Sequence, residues 1–416
     1  MRREEIITGL DIGSSTIRIA VGQKAGPDSP LKIIGAAEAP AEGIKRGVIN
    51  SVEDAISSIS TCLEKAERMV GLPLEHAWVG ISGHDIVSEE SKGVVVISNP
   101  EGEIQEGDVE RAIEAARAIA SPPNYEVLHV IAKSFKIDDQ AGIKDPVGMT
   151  GIRLEATVQI IQGPSSQIKN LTKAIYRTSL DIDDLILSIL SASEAVLNNR
   201  QKDLGVILIN LGAFTTSLVV FEENEVVHTA VLPIGAGHIT NDIAIGLRIS
   251  LDTAERLKLE YGQALAKDIN KRDELDLKEL GGVEEGLVSK KHIAEIVEAR
   301  VEEIFSKIDK ELKKIGRAGS LPAGAVLIGG GAKLPGLVEL AKQSLRLPVA
   351  LGEIIKLSTI IDKINDLSFV NAVGLVLWGE QMQKQGGGKM KKMISRFGSI
   401  DDAMGTMKKW FKKFGS

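Results

Sequence analysis

Cysteine is nearly absent from this sequence, with Cys62 standing alone. One thiol cannot close a disulfide within the chain, and it argues against a zinc site built on cysteine ligands. Aromatic residues are scarce: eight Phe, three Tyr and three Trp in 416 residues. No apolar run approaches the roughly 18 consecutive residues that a membrane span needs. The opening MRREEIITGLDIG holds no apolar stretch of signal-peptide length, and the expected location is cytoplasmic. A surplus of positive charge is also missing. The formal net charge is −7, so the surface as a whole is no nucleic-acid footprint and no nucleic-acid partner is expected.

What is present is an ordinary globular mix, 43% apolar and 26% charged, enough for a sizeable core and too apolar for a mainly disordered chain. At about 150 residues per domain the length predicts two to three domains. The charge is uneven. Residues 389–416 hold seven Lys and Arg396 against Asp401 and Asp402, a net +6, which leaves −13 for the rest of the chain. The same segment carries Phe397, Trp410, Phe411 and Phe414. An acidic body with a basic, aromatic tail predicts a separate partner for the tail.

Residues 6–21 (IITGLDIGSSTIRIAV) and 204–221 (LGVILINLGAFTTSLVVF) both read as strand, tight turn and strand. The repeat predicts two similar halves. Between them, 52–70 has helical spacing, and 84–163 reads as a strand-rich block with one clear helix, an inserted module. Helices are expected at 165–178, 191–199 and 235–262, with a strand at 182–189 between the first two. In 290–315, Ile293, Val297, Val301, Ile304, Ile308, Leu312 and Ile315 fall near heptad spacing. A strand at 325–329 ends in glycines, and 369–379 reads as a short apolar helix.

Four motifs fit one site. In Asp11-Ile12-Gly13-Ser14-Ser15-Thr16 a carboxylate ends a strand and a turn of small residues follows. Backbone N–H groups of such a turn can cradle phosphate oxygens, and Asp11 could hold Mg²⁺ through water. An ordinary β-turn would look the same. Asn210-Leu211-Gly212-Ala213-Phe214-Thr215 is the matching turn of the other half. Gly329-Gly330-Gly331-Ala332 follows a buried strand, and its bare backbone could lie against a planar base or ribose. Glu255 and Lys258, at i and i+3 of an expected helix, could bond ribose hydroxyls or form a plain surface pair.

Together these motifs resemble the actin-like ATPase superfamily over about residues 6–379. VGISGHDI at 79–86, the inserted block and the KKWFKKFGS tail are similar to the FtsA family of bacterial division proteins. The resemblance implies an α/β, actin-like fold of two similar lobes with an inserted α+β subdomain of the 1C type. The implied division gives residues 1–83, 164–200 and 369–380 to the first lobe and 84–163 to the insertion. It gives 201–240 and 299–368 to the second lobe, 241–298 to a 2B subdomain, 380–390 to a flexible linker and 391–416 to an amphipathic helix. Segments 185–198 and 369–379 look like connecting helices. ATP with Mg²⁺ is the implied cofactor, and Glu194 stands where related ATPases orient the attacking water, though a helix-surface carboxylate fits its sequence as well. The superfamily usually carries Asp where this chain has Asn210, and Gly where it has Ala213 and Phe214. Nucleotide binding with slow or negligible hydrolysis is therefore expected.

The implied partners are the C-terminal peptide of FtsZ, further copies in a head-to-tail filament, other division proteins and an anionic membrane surface at midcell. Arg300, in EIVEARVEEIF, is a candidate contact for the acidic peptide. On a helical wheel, Met404, Met407, Trp410, Phe411 and Phe414 fall within roughly 240–360°, and Lys408, Lys409, Lys412 and Lys413 within roughly 40–180°. Such a helix would lie in the bilayer interface. Each lysine near anionic lipid adds about 1 kcal/mol, so one tail binds reversibly and a polymer of tails firmly. The alternatives are a scaffold like the pilus-assembly protein PilM, which would not need the tail, and a sugar or acyl kinase on the same fold, which would need a carboxylate base.

Overall fold

The computed structural model describes residues 5–26, 29–120, 122–280, 286–355, 357–359 and 361–385. The tail residues Met404, Met407, Lys408, Lys409, Trp410, Phe411, Lys412, Lys413 and Phe414, and the expected linker beyond 385, lie outside them. Strands β1 (Glu5–Ile12), β2 (Thr16–Lys24) and β3 (Lys32–Pro40) form an antiparallel meander. A small pair, β4 (Ile44–Lys45) and β5 (Val48–Ile49), leads to α1 (Val52–Val70). Helix α1 buries Ala55, Ile59, Cys62, Leu63 and Ala66 at helical spacing and stops at Gly71, which takes the left-handed conformation at no steric cost. Strand β6 (His76–Ile81) then runs parallel to β1.

The insertion follows as β7 (Val87–Val96), α2 (Glu106–Ala120), β8 (Tyr125–Ile137), β9 (Gln140–Ile143) and β10 (Arg153–Pro164). Its sheet has the order β7-β10-β8-β9, with α2 packed over a small core of its own. The first half resumes with α3 (Ser165–Tyr176), β11 (Asp181–Leu187), α4 (Ser188–Val196) and α5 (Asn199–Leu204). The second half repeats the plan. Strands β12 (Val206–Leu211), β13 (Thr216–Glu222) and β14 (Glu225–Leu232) are antiparallel. They are followed by α6 (Ala236–Leu247), α7 (Leu251–Tyr261), the hairpin β15 (Glu274–Asp276) and β16 (Leu287–Ser289), and α8 (Lys290–Lys314). Strand β17 (Ala325–Ile328), α9 (Leu337–Leu345), β18 (Val349–Leu351), β19 (Ser358–Thr359) and α10 (Val370–Gln385) complete the chain.

The two large sheets have the orders β11-β6-β1-β2-β3-β19 and β14-β13-β12-β17-β18. Each centres on a buried strand that ends in a tight turn, β1 in one and β12 in the other. Helices α4 and α10 pack against each other at the lobe junction. A Cβ on Gly374 of α10 would lie 2.3 Å from the carbonyl oxygen of Ser191 in α4, so the helices meet backbone to backbone and only glycine fits.

Several expectations are corrected. The strand expected at 182–189 is β11, and residues 185–198 therefore do not form one connecting helix; Leu185–Leu187 complete that strand and α4 starts at Ser188. The helix expected over 235–262 is two, broken where Arg248 turns left-handed (φ 57°) and Ser250 caps α7. The chain is helical, not linker, from 380 to 385, because Glu380 pairs with Lys24 at 3.6 Å and Lys384 at 2.7 Å, and Gln381 reaches Glu194 at 2.9 Å. The division expected at 298/299 falls inside the continuous helix α8. Strands β14, β18 and β19 and helix α9 have no counterpart in the sequence reading. Among the described residues no helix is long and apolar enough to cross a membrane.

His129 on β8 joins the insertion to the first lobe. Its Nε2 accepts from the N–H of Leu187 at 3.0 Å, and its ring meets Trp378 edge-on at 6.4 Å. Burial lowers its pKa from 6.5 to about 4. A depressed histidine pKa stabilises the fold fully above the unfolded value, and that stability is lost as pH falls towards the folded one. The loss between pH 6.5 and pH 4 is expected to be about 3 kcal/mol. It is read as the extra pH dependence of the urea midpoint in the wild type over His129→Gln, and parallel pH profiles would refute it.

Candidate functional site

A cleft of about 640 Å³ opens between the lobes. Its walls include Asp11, Gly13, Ser14, Ser15 and Thr16 from the β1–β2 turn and Asn210, Gly212, Ala213, Phe214 and Thr215 from the β12–β13 turn. Gly329, Gly330 and Gly331, after β17, and Glu255 and Lys258, on α7, line it too. Ala332 lies just behind, buried, its N–H donating to the Gly329 carbonyl at 3.1 Å. The volume falls in the range of small-molecule sites.

Each wall has a local cause. The second turn is braced by the start of α6: the N–H groups of Ala236 and Gly237 donate to the carbonyls of Gly212 (2.8 Å) and Ala213 (2.6 Å). That arrangement satisfies helix-end donors and fixes the turn at once. The Phe214 ring packs edge-on against His238, 5.8 Å away. Gly329 has φ +89°, and a Cβ there would lie 2.3 Å from Asn210 Oδ1. A Cβ on Gly330 would meet nothing within 4 Å. Lys258 Nζ bonds Glu255 at 2.6 Å and Thr240 at 2.9 Å, tying α7 to α6 along the cleft.

The polar centre is Asp11, 4% exposed. It accepts from Ser188 Oγ at 3.0 Å and from Asn371 Nδ2 at 3.2 Å. Asn371 in turn accepts from Asn210 Nδ2 at 3.3 Å. Burial pushes the Asp11 carboxyl above its ordinary range, opposed by those two hydrogen bonds and the charge of Arg18. Sequence reasoning missed Ser188 and Asn371. Asn371 offered a signal, as the one amide in the apolar run 370–378, because such a group has to find a partner when buried; Ser188 shares α4 with Ser191, Ser193 and Glu194 and offered none.

Comparison with known proteins follows this geometry. A family model described as "Cell division protein FtsA" matches residues 207–374, and one described as "SHS2 domain inserted in FTSA" matches 83–162. The chain is 36% identical to the cell division protein FtsA of Pseudomonas aeruginosa, over 92% of this chain and 91% of that one. This chain belongs to the FtsA family. FtsA of Bacillus subtilis is also 36% identical, over 90% of this chain and 84% of its own, and FtsA of Escherichia coli is 29% identical over 98% of each. In fold, the chain resembles a PilM–PilN type IV pilus biogenesis complex (TM-score 0.66, 17% identity, 90% of this chain and 98% of that one). It also resembles MreB5 of Spiroplasma citri bound to ADP (TM-score 0.55, 12% identity, 92% and 98%). The fold is thus the actin-like one with an SHS2 insertion, and the likeness to PilM extends to fold alone.

Two candidate residues of this FtsA-family chain sit elsewhere. Glu194 does not line the cleft. It lies six residues beyond Ser188 on α4, a rise of about 9 Å. Its carboxylate accepts from Lys202 Nζ at 2.6 Å and Gln381 Nε2 at 2.9 Å, so it joins α4, α5 and α10 instead of facing a phosphate. Arg300 on α8 is bound through Nε and Nη2 (2.8 Å) to Asp242 of α6 and through Nη1 to Glu303. The Asp242 hydrogen bonds raise its pKa further. An acidic peptide would meet an arginine already paired. Removing the Glu194 carboxylate leaves the Lys202 ammonium, 10% exposed, without its anion. Glu194→Ala is expected to cost about 1–2 kcal/mol of stability in urea unfolding while nucleotide affinity holds; lost affinity at unchanged stability would place Glu194 in the site after all.

Proposed function

We propose that this FtsA-family protein binds ATP in the interlobe cleft, assembles head to tail, and tethers the FtsZ ring to the cytoplasmic face of the membrane through its basic aromatic tail. The observation that carries the nucleotide part is the cleft itself. Two repeated strand-turn-strand units present their turns to one space, and Ser14 Oγ in the first turn is buried with no partner. A phosphate oxygen would satisfy it. Gly330, with open space where a Cβ would be, leaves room for a ribose or base. The ADP in the MreB5 structure, a protein of the same fold, supports the same reading.

Bound Mg²⁺ would supply neutralisation of phosphate charge. Asp11 suits an outer contact through water, since each of its oxygens already accepts one hydrogen bond, and Asn210 offers no second carboxylate. The chain's own residues then position and enclose: the turns hold phosphates by backbone N–H groups, and Lys258 with Glu255 is set to meet ribose hydroxyls. With Glu194 turned away to Lys202 and Gln381, the carboxylate expected to orient the attacking water is not at the cleft, which supports slow or negligible hydrolysis. The FtsZ C-terminal peptide is assigned to the region of α6 to α8 with Arg300, other division proteins to the body, and the membrane to 391–416.

Two tests follow. Gly330→Leu puts a side chain into the cleft at a position where its Cβ meets no protein atom within 4 Å, so it should keep a melting temperature close to the native one and weaken ATP binding by at least about tenfold, on the scale of a blocked contact set; wild-type affinity would overturn the site. Removal of 399–416 should leave a folded protein that no longer sediments with anionic vesicles, and unchanged sedimentation would defeat the membrane role.

A further inference from the structure

The amide of Asn371 can point only one way. An ionised Asp11 offers oxygens that only accept hydrogen bonds, so Asn371 must turn Nδ2 towards it, at 3.2 Å. Its Oδ1 then faces position 210 and needs a donor there, which Asn210 Nδ2 supplies at 3.3 Å. Asp11, Asn210 and Asn371 are all buried, so an unmet partner in this row would be costly. The Oδ1 of Asn210 lies on the side of Gly329, where an added Cβ would come within 2.3 Å of it, which leaves Nδ2 turned to Asn371. An aspartate at 210 would set two acceptors face to face with no proton between them, and would place a second carboxylate near Asp11. Two facing carboxylates stay ionised together only with a cation between them. Asn210 and Asn371 are therefore a matched pair, and the exchange of Asp for Asn at 210 is compensated from a connecting helix of the other lobe.

We infer that Asn371 is a positioning residue that bridges the two phosphate loops through neutral hydrogen bonds, in the place a divalent cation would take between two carboxylates, so that nucleotide binding by this chain depends little on Mg²⁺. The inference rests on the proposed ATP site and names how that site is controlled. Closure across the cleft is carried by Asp11, Asn371 and Asn210 themselves, and Arg18 and Lys333, which line the cleft beside their partners Glu38 and Asp366, add positive charge to its wall. Mg²⁺ adds only its water-mediated contact to Asp11.

The test measures ATP and ADP affinity of the full-length protein by calorimetry, once with Mg²⁺ and once with EDTA. Wild-type affinities are expected to differ by about threefold or less, the scale of one water-mediated contact. In the double variant Asn210→Asp with Asn371→Ser, the second carboxylate is present and the amide bridge is gone. Its affinity should fall at least about tenfold on removing Mg²⁺. A wild type that loses tenfold or more in EDTA overturns the inference, and so does a folded double variant that stays indifferent to the cation. The wild-type comparison is decisive even if the variant does not fold. Absence of binding under both conditions overturns instead the ATP reading beneath it.

Discussion

The close crossing of α4 and α10 is the constraint on which the arrangement of the two lobes depends. Glycine at 374 lets the backbone of α10 come against Ser191 of α4. From that contact each helix projects polar groups at fixed heights. Ser188, at the start of α4, reaches Asp11 at the end of β1. Asn371, at the start of α10, reaches Asp11 and Asn210 together. About two turns further along α4 and three along α10, Glu194 accepts from both Gln381 and Lys202. A larger residue at 374 would push the helices apart by a distance comparable to the slack in these hydrogen bonds, and overpacking of this kind commonly costs about 1–3 kcal/mol. The site's polar row and the base of the hinge are thus two ends of one packing decision.

The same crossing explains why so few charges stand at the centre. A carboxylate buried as deeply as Asp11 is tolerable because two donors point at it and Arg18 lies near. A second carboxylate on β12 would bring repulsion with no further donor to answer it. The amides of Asn210 and Asn371 carry the connection between lobes without adding charge. Lys202 shows the complementary solution at the hinge base, where its ammonium lies between the Glu194 carboxylate and the face of Phe221, 4.9 Å from the ring centre. Phe221 belongs to β13, and the backbone of Lys202 and Asp203 also accepts from Asn224 and Glu223 at the end of that strand, so α5 is held against the second sheet.

What could be read in advance follows from how local each feature is. The two strand-turn-strand units are short, contiguous and repeated, and their turns do line one cleft. Helix α1 declares itself by spacing and by Gly71. Glu255 and Lys258 meet because i and i+3 on a helix are neighbours wherever the helix goes. Asn371 is different: its partners are 360 and 161 residues away in sequence, and only the packing of α10 brings them together. The placement of Glu194 turns on where α4 begins. Leu185, Ile186 and Leu187 are equally apolar as strand or helix, and their pairing with β6 assigns them to the sheet, which shifts every later residue of the helix. Strand β14, EVVHTAVL, has no clean alternation of apolar and polar residues, and its role as a sheet edge is decided by β13 beside it.

That edge gives the insertion its place in the mechanism. The inserted sheet belongs in sequence to the first lobe, but Ser88 of β7 accepts a hydrogen bond from Gln159 of its own sheet at 2.7 Å and one from Thr229 of β14 at 2.8 Å. Lys144, beside β9, pairs with Glu223 at the turn before β14 at 2.9 Å. On its other flank the insertion is held to the first lobe through His129 and Leu187, immediately before Ser188. A module attached at both ends of the lobe junction has to shift when the lobes rotate about α4 and α10. The side-chain contacts to the second lobe are neutral or solvent-exposed, and such contacts contribute little, whereas His129 is wholly buried in the first. Rotation would therefore break the seam at β14 before it disturbed the seam at β11, and the inserted module would travel with the first lobe.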